Sequence, residues 1–257
     1  MTPEIIRRLQ QLEVEQGVKI LYACESGSRA WGFPSADSDY DVRFFYLHPP
    51  EWYLAIDLEK KQDVIERPIN AQIDLSGWDL RKTLQLFSKS NPPLLEWLGS
   101  PIVYLEKYSV TGRLRQLTLT WYSPRACMYH YLHMARGNYR DYLKGETVWV
   151  KKYFYVLRPL LAIHWLEQGL GVVPTEFKVL VDNTVQSPAL KAAIEALVKA
   201  KEQGQELDDG PRIPVISDFI TAEIARLEDK QLSDGSTQRS IETLNELFRD
   251  ALREVWR

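Results

Sequence analysis

The residues best suited to chemistry lie in one stretch, Cys24-Glu25-Ser26-Gly27-Ser28-Arg29-Ala30-Trp31-Gly32-Phe33-Pro34-Ser35-Ala36-Asp37-Ser38-Asp39-Tyr40-Asp41-Val42-Arg43-Phe44. Asp39 and Asp41 stand at i and i+2 where a strand begins. The two-residue period of a strand sends both carboxylates to one face and Tyr40 and Val42 to the other. Two carboxylates this close repel unless a cation lies between them, and oxygen-only donors at this spacing suit Mg2+ or Mn2+. Arg43 continues the same face, where it could neutralise the pair or touch a triphosphate. Asp37 falls in a Ser-Ala-Asp-Ser segment that reads as a turn.

Upstream, Gly27-Ser28 directly follows a short apolar run, Val18 to Ala23, that reads as a buried strand. A Gly-Ser pair there lets the backbone turn sharply and approach a ligand closely. A short helix opening at Ser28-Arg29 would turn free N–H groups toward phosphate oxygens. Gly27, Ser28 and Arg29 are therefore the candidate nucleotide-binding residues of this segment. A third carboxylate on a neighbouring strand would complete a two-metal site. Asp74 is best placed for it, flanked by Ile73 and Leu75, with Glu66 as the rival. Asp79 has the spacing of a helix start and reads as a structural residue at the N-terminus of a helix.

The elements that must position these groups follow from the pattern. Tyr40 to Leu47 reads as a strand ended by Pro49-Pro50, and Asp63–Glu66 and Ala71–Leu75 as two more strands separated by Arg67-Pro68. A helix begins near Asp79, Asn91-Pro92-Pro93 breaks it, and Leu94 to Leu98 is a short helix. Beyond about Tyr108 the signal is almost wholly helical, with helices expected over Pro124–Lys144, Val150–Gln168, Ser187–Gln203, Pro214–Asp229 and Thr237–Trp256. The fold class is therefore α+β: a small mixed β-sheet lobe over residues 1–107, then a helical lobe over 108–257.

The pattern of Gly27-Ser28, then Asp39-x-Asp41 on a strand, then a later strand carboxylate, resembles the active-site signature of the DNA polymerase β nucleotidyltransferase superfamily. Gly27 to Phe33 with Asp37 to Arg43 looks more narrowly like a bacterial and phage family of nucleotidyltransferases, some encoded beside RNA ligases. Asp74 to Leu80 and Ser100 to Tyr104 are similar to that family too, and the narrower likeness extends to about residue 160. The resemblance implies a metal-dependent transfer of NMP from an NTP to a hydroxyl acceptor, with a helical lobe closing the nucleotide cleft. It also implies that Asp39 and Asp41 hold both metals and that Asp74 holds only the one activating the acceptor. Ser28 would position the β- and γ-phosphates. The acceptor could be an RNA end, a small molecule or a protein hydroxyl. The alternative is a catalytically silent nucleotide- or RNA-binding partner protein, antitoxin-like, on the same fold.

The helical half alternates tyrosines with bases, from Tyr129 to Lys144 and again from Lys151 to Arg158. Lys151, Lys152 and Arg158 could hold a triphosphate while aromatics stack on bases, and Lys152 is the nucleotide-binding candidate among them. The competing reading makes the aromatics interhelical core and the bases its solvated edges. His130, His133 and His164 read as hydrogen-bonded packing residues, and Trp149, Trp165 and Trp256 as core or helix-packing residues.

The 257 residues are 45% hydrophobic and 26% charged, an ordinary globular composition, with a formal net charge of -3. That charge offers no global attraction for a polyanion, which argues against a processive polymerase gripping long duplex. Cys24 and Cys127 are too far apart in sequence to suggest a zinc site or a disulfide framework, which fits a reducing cytoplasm. Met1 to Gln16 reads as an amphipathic helix without the features of a signal peptide, and no long apolar run suggests a membrane span.

Overall fold

The structure is a computed structural model that describes residues 1–70, 72–228 and 239–257. In chain order its elements are α1 (Thr2–Gln16), β1 (Lys19–Glu25), α2 (Gly27–Trp31), β2 (Tyr40–Leu47), α3 (Pro50–Tyr53), β3 (Val64–Asn70), β4 (Ile73–Asp79), α4 (Leu80–Ser88), α5 (Pro92–Leu98) and β5 (Val103–Glu106). There follow α6 (Val110–Trp121), α7 (Pro124–Tyr142), β6 (Thr147–Trp149), α8 (Lys152–Glu167), α9 (Phe177–Thr184), α10 (Pro188–Glu202), β7 (Asp209–Pro211), α11 (Pro214–Glu228) and α12 (Glu242–Val255). The α+β class and the mixed sheet agree with the sequence. Ala71, the connector Asp229–Ser236 and the first residues of the expected Thr237–Trp256 helix lie outside the described residues.

The chain divides into two compact units. The first comprises Met1–Ala30, Asp39–Tyr122 and the described part of Thr237–Arg257; the second comprises Trp31–Ser38 and the described part of Ser123–Ser236. A single cut at residue 107 does not reproduce this division. Helices α6 and α12 belong with the sheet because Val110, Leu114, Trp121, Leu244, Leu247 and Ala251 are buried in its core.

In the first unit the five strands lie in the order β3-β4-β2-β1-β5, with β2 and β4 parallel and every other pair antiparallel. Both faces are covered. Ile5, Leu9 and Leu12 of α1 pack with Ile20, Val42, Phe44, Tyr46, Ile73 and Leu75 on one side. On the other, Leu21, Phe45 and Leu47 meet apolar residues of α4, α5, α6 and α12. The strand alternation therefore puts Asp41 and Arg43 on the face that buries Phe45 and Leu47 further along β2.

One expectation needs correcting. Arg67-Pro68 does not separate two strands, because β3 runs through it to Asn70, with a register irregularity against β4 between Arg67 and Asn70. Strand β3 is at the sheet edge, where a residue lacking an N–H is tolerated. In the second unit, α8 is buried along most of its length, and β6 and β7 form a two-stranded ribbon. No helix among the described residues is long and apolar enough to cross a membrane.

Candidate active site

The parallel pairing of β2 with β4 sets Asp41 directly opposite Asp74. The two carboxylates share one partner: Arg43 Nη2 lies 2.8 Å from Asp74 Oδ2 and 3.2 Å from Asp41 Oδ1. Arg43 Nη1 turns to the carbonyls of Val42 and Asp74 at 3.2 and 3.4 Å. Of the two roles open to Arg43 in the sequence, neutralising the acidic face is the one its contacts support. Asp74 thus stands with Asp41, whereas Glu66 is exposed and pairs with Ser76 in the β3–β4 register.

Asp39 is exposed, one residue before β2. Its carbonyl accepts from Arg29 Nε at 3.2 Å, and the Arg29 guanidinium lies over the Tyr40 ring, 3.7 Å from its centroid. Among the described residues no three His, Cys, Asp or Glu side chains converge on one metal position, so Asp39 does not join Asp41 and Asp74 in a ready-made cage. The donor chemistry of the Asp41–Asp74 pair still fits Mg2+ or Mn2+. Mg2+ is commonly held by one or two carboxylates and completed by substrate phosphates and water.

Gly27 sits at φ +60°, and a Cβ built on it would fall on the Asp41 carboxylate. The glycine is required twice over, for its backbone angle and for the space that Asp41 fills. Ser28 follows in the five-residue helix α2.

Glu25, a residue that sequence reasoning passed over, fixes the backbone of Asp41. Its side chain is fully buried at the end of β1, and Oε1 accepts the Asp41 N–H at 2.7 Å. Oε2 accepts the Tyr104 hydroxyl. Ser26 N–H donates to the Asp41 carbonyl at 2.8 Å, so both backbone polar groups of Asp41 are held. Burial pushes the Glu25 carboxyl above its ordinary range, opposed by the Tyr104 hydroxyl and the Asp41 amide. The available signal was an acid ending the apolar run from Ile20 to Cys24. Cys24 itself is buried and its thiol is pushed up to about 12 by that burial, which suits a packing residue.

In the second unit the Tyr- and base-rich helices divide between the two readings. Tyr131 and Tyr153 are core, as the packing reading expects, and the Tyr153 hydroxyl shares a hydrogen bond with Ser217 at 2.6 Å. Arg158 is buried, donating from Nη2 to the carbonyls of Pro174 and Thr175 at 3.1 and 3.2 Å, so its contacts are those of a core tie. Lys152 differs: its amine lies 4.4 to 4.8 Å from the centroids of Tyr142, Trp149 and Tyr155, three rings that remain partly exposed. Burial among them lowers its pKa, with Lys151 adding to the effect. Trp149, expected as a core or helix-packing residue, lies on the β6–β7 ribbon and is 36% exposed. His164 is hydrogen-bonded to Glu223 at 2.7 Å. Asp37 lies in the turn expected for it, closed by Ser38 N–H on the Ser35 carbonyl at 3.1 Å.

A sequence profile for the RNA repair pathway DNA polymerase beta family matches residues 1–250. The chain belongs to that family. A relative from Bacillus subtilis (strain 168), the uncharacterized protein YcgL, is 51% identical over 259 residues, spanning 100% of this chain and 98% of its own. The crystal structure of a nucleotidyltransferase-like protein from Exiguobacterium sibiricum is similar at 12% identity and a TM-score of 0.33, covering 96% of this chain and 79% of that one. That likeness is too slight to build on. Membership agrees with the resemblance carried by Gly27-Ser28 and Asp39-x-Asp41, and it points to nucleotidyl transfer as the general activity.

Proposed function

We propose that the chain transfers NMP from an NTP to a hydroxyl acceptor with release of pyrophosphate. The observation that carries this reading is the Asp41–Asp74 pair, in register on adjacent parallel strands and packed against a glycine that admits no side chain. Asp41 and Asp74, with Asp39 at the head of β2, are the residues that would hold Mg2+ or Mn2+. Bound there, the cation would supply Lewis acidity to the attacking and leaving oxygens. The acceptor hydroxyl gives its proton to solvent and its oxygen bonds the α-phosphorus as that phosphorus loses its bond to the α,β-bridging oxygen and pyrophosphate departs.

The chain's own groups bind and orient. Ser28 and the Gly27 backbone would position the β- and γ-phosphates, and Arg29 contributes positive charge beside Asp39. The family's association with RNA repair favours an RNA end as acceptor over a small molecule or a protein. Cys24 and Cys127 are buried and form no disulfide, which suits a reducing cytoplasm.

The test is Mg2+-dependent label transfer from α-labelled NTPs to RNA with a free 3′ hydroxyl, with small-molecule and protein acceptors run in parallel. Asp41→Asn and Asp74→Asn should each lower transfer about a hundredfold or more, because a metal contributes several kcal/mol to transition-state charge stabilisation. Undiminished transfer by either variant would remove it from the site. Failure of the native chain to bind any NTP would favour the silent partner protein.

A further inference from the structure

Arg43 occupies the point where the two carboxylates face each other. Asp41 and Asp74 lie opposite one another on neighbouring strands, an arrangement that like charges destabilise. One nitrogen, Arg43 Nη2, reaches an oxygen of each, at 3.2 and 2.8 Å. A cation bridging those two oxygens would have to stand where that nitrogen stands. Hard divalent cations bind carboxylate oxygens at about 2.0–2.1 Å for Mg2+, closer than the guanidinium does, so the two cannot share this position. The arginine is also anchored by two backbone carbonyls, and its side chain is only 19% exposed.

We infer that Arg43 is the resident counter-ion of the Asp41–Asp74 pair and competes with the divalent cation for it, so that metal entry requires the guanidinium to leave. The inference rests on the proposed assignment of these two aspartates as metal ligands. Arg43 serves two ends. Without metal, it offsets the repulsion between the facing carboxylates. It also sets a threshold, since a lone cation must displace a partner shared by both carboxylates before it can bind. Arginine suits this role better than lysine because its fork lets Nη2 hold both carboxylates while Nη1 is anchored on the Val42 and Asp74 carbonyls.

The test uses the full chain and Mn2+ alone, with free Mn2+ measured by electron paramagnetic resonance and no nucleotide present. Arg43→Gln should bind Mn2+ about tenfold more tightly than the native protein, the scale expected when a partly exposed charge contact is removed from each carboxylate. Arg43→Lys, which keeps the charge but loses the fork, should fall between them. The gain should disappear in the Arg43→Gln/Asp41→Asn double variant. Metal-free Arg43→Gln should melt below the native protein, and Mn2+ should raise its Tm more than that of the native chain. Unchanged or weaker Mn2+ binding by both Arg43 variants would overturn the inference, because an arginine that merely orients the ligands weakens the site when removed. Label transfer by the native chain is measured separately, so failure here leaves the nucleotidyl-transfer reading to its own assay.

Discussion

Asp41 is fixed through its backbone as much as through its carboxylate. Its N–H ends on the buried Glu25 side chain and its carbonyl on the Ser26 N–H. Glu25→Ala leaves that N–H and the Tyr104 hydroxyl without a buried acceptor, each costing about 1–3 kcal/mol. It also frees the strand end that aims Asp41. Glu25→Gln retains a carbonyl oxygen for Asp41 and an amide that can donate to Tyr104. Steady-state kinetics should show kcat falling roughly tenfold to a hundredfold in the alanine variant, the range for a small misplacement of a reacting group, with KM for the nucleotide little changed. The glutamine variant should recover most of that loss. Native kcat in Glu25→Ala would end the positioning role. At this scale the sequence was informative where a motif exists: Gly27, Asp41 and Asp74 come together as their spacing suggested. It was silent on Glu25, whose role depends on a tyrosine 79 positions away, a separation that no local pattern encodes.

Among the elements, α4 shows how a strand hands over to a helix at the edge of the core. Asp79 ends β4 and caps α4, accepting the Arg81 N–H at 2.8 Å and the Tyr53 hydroxyl at 2.5 Å, in a setting that leaves it 1% exposed. Burial lifts its carboxyl from 3.8 to about 6, against the lowering effect of Tyr53 and Arg81. The folded chain therefore holds this proton more tightly than the unfolded chain. Its contribution to stability is greatest below 3.8, declines as pH rises to about 6, and is level above that. Asp79→Asn keeps the cap without the titration. Urea unfolding from pH 4 to 7 should show the native protein losing stability relative to Asp79→Asn across that window; a constant offset would refute the account. The structural reading of Asp79 came from the capping-box spacing of Ser76 to Asp79, but Ser76 lies within β4 and Asp79 is itself the cap. Most long elements were legible, with β2 matching end to end and α7, α8, α10 and α11 differing by a few residues at their ends. Helix α9, with eight residues, and the three-residue strands β6 and β7 are too short to display a period.

At the scale of the whole molecule, the chain passes between its two units more than once. Trp31–Ser38, lying between the Gly27-Ser28 turn and the aspartates, belongs to the helical unit. There Phe33 packs against Phe154 and Phe177 with ring centroids 4.7 and 5.5 Å apart, and Lys201 Nζ donates to Ser35 Oγ at 2.7 Å. The sheet unit in turn needs Leu244 and Leu247 of α12 to complete its core. A fragment ending at Tyr122 forfeits burial worth roughly 1.5–3 kcal/mol for each of those leucines, set against a typical total of about 5–15 kcal/mol. It should lack a cooperative urea transition by circular dichroism, and a sharp native-like transition would show that the sheet unit stands alone. Sequence alone suggested one boundary because composition changes once, near Tyr108, whereas packing partners are drawn from both ends of the chain.

The placement of Trp31–Ser38 bears on inheritance. A motif whose middle eight residues belong to a different unit from its two ends cannot be moved to a new host as a self-contained cassette. Recombination that carried the glycine turn and the aspartates without α8, α9 and α10 would strand Phe33 and Ser35 without their partners. The two halves are therefore expected to diversify as one piece.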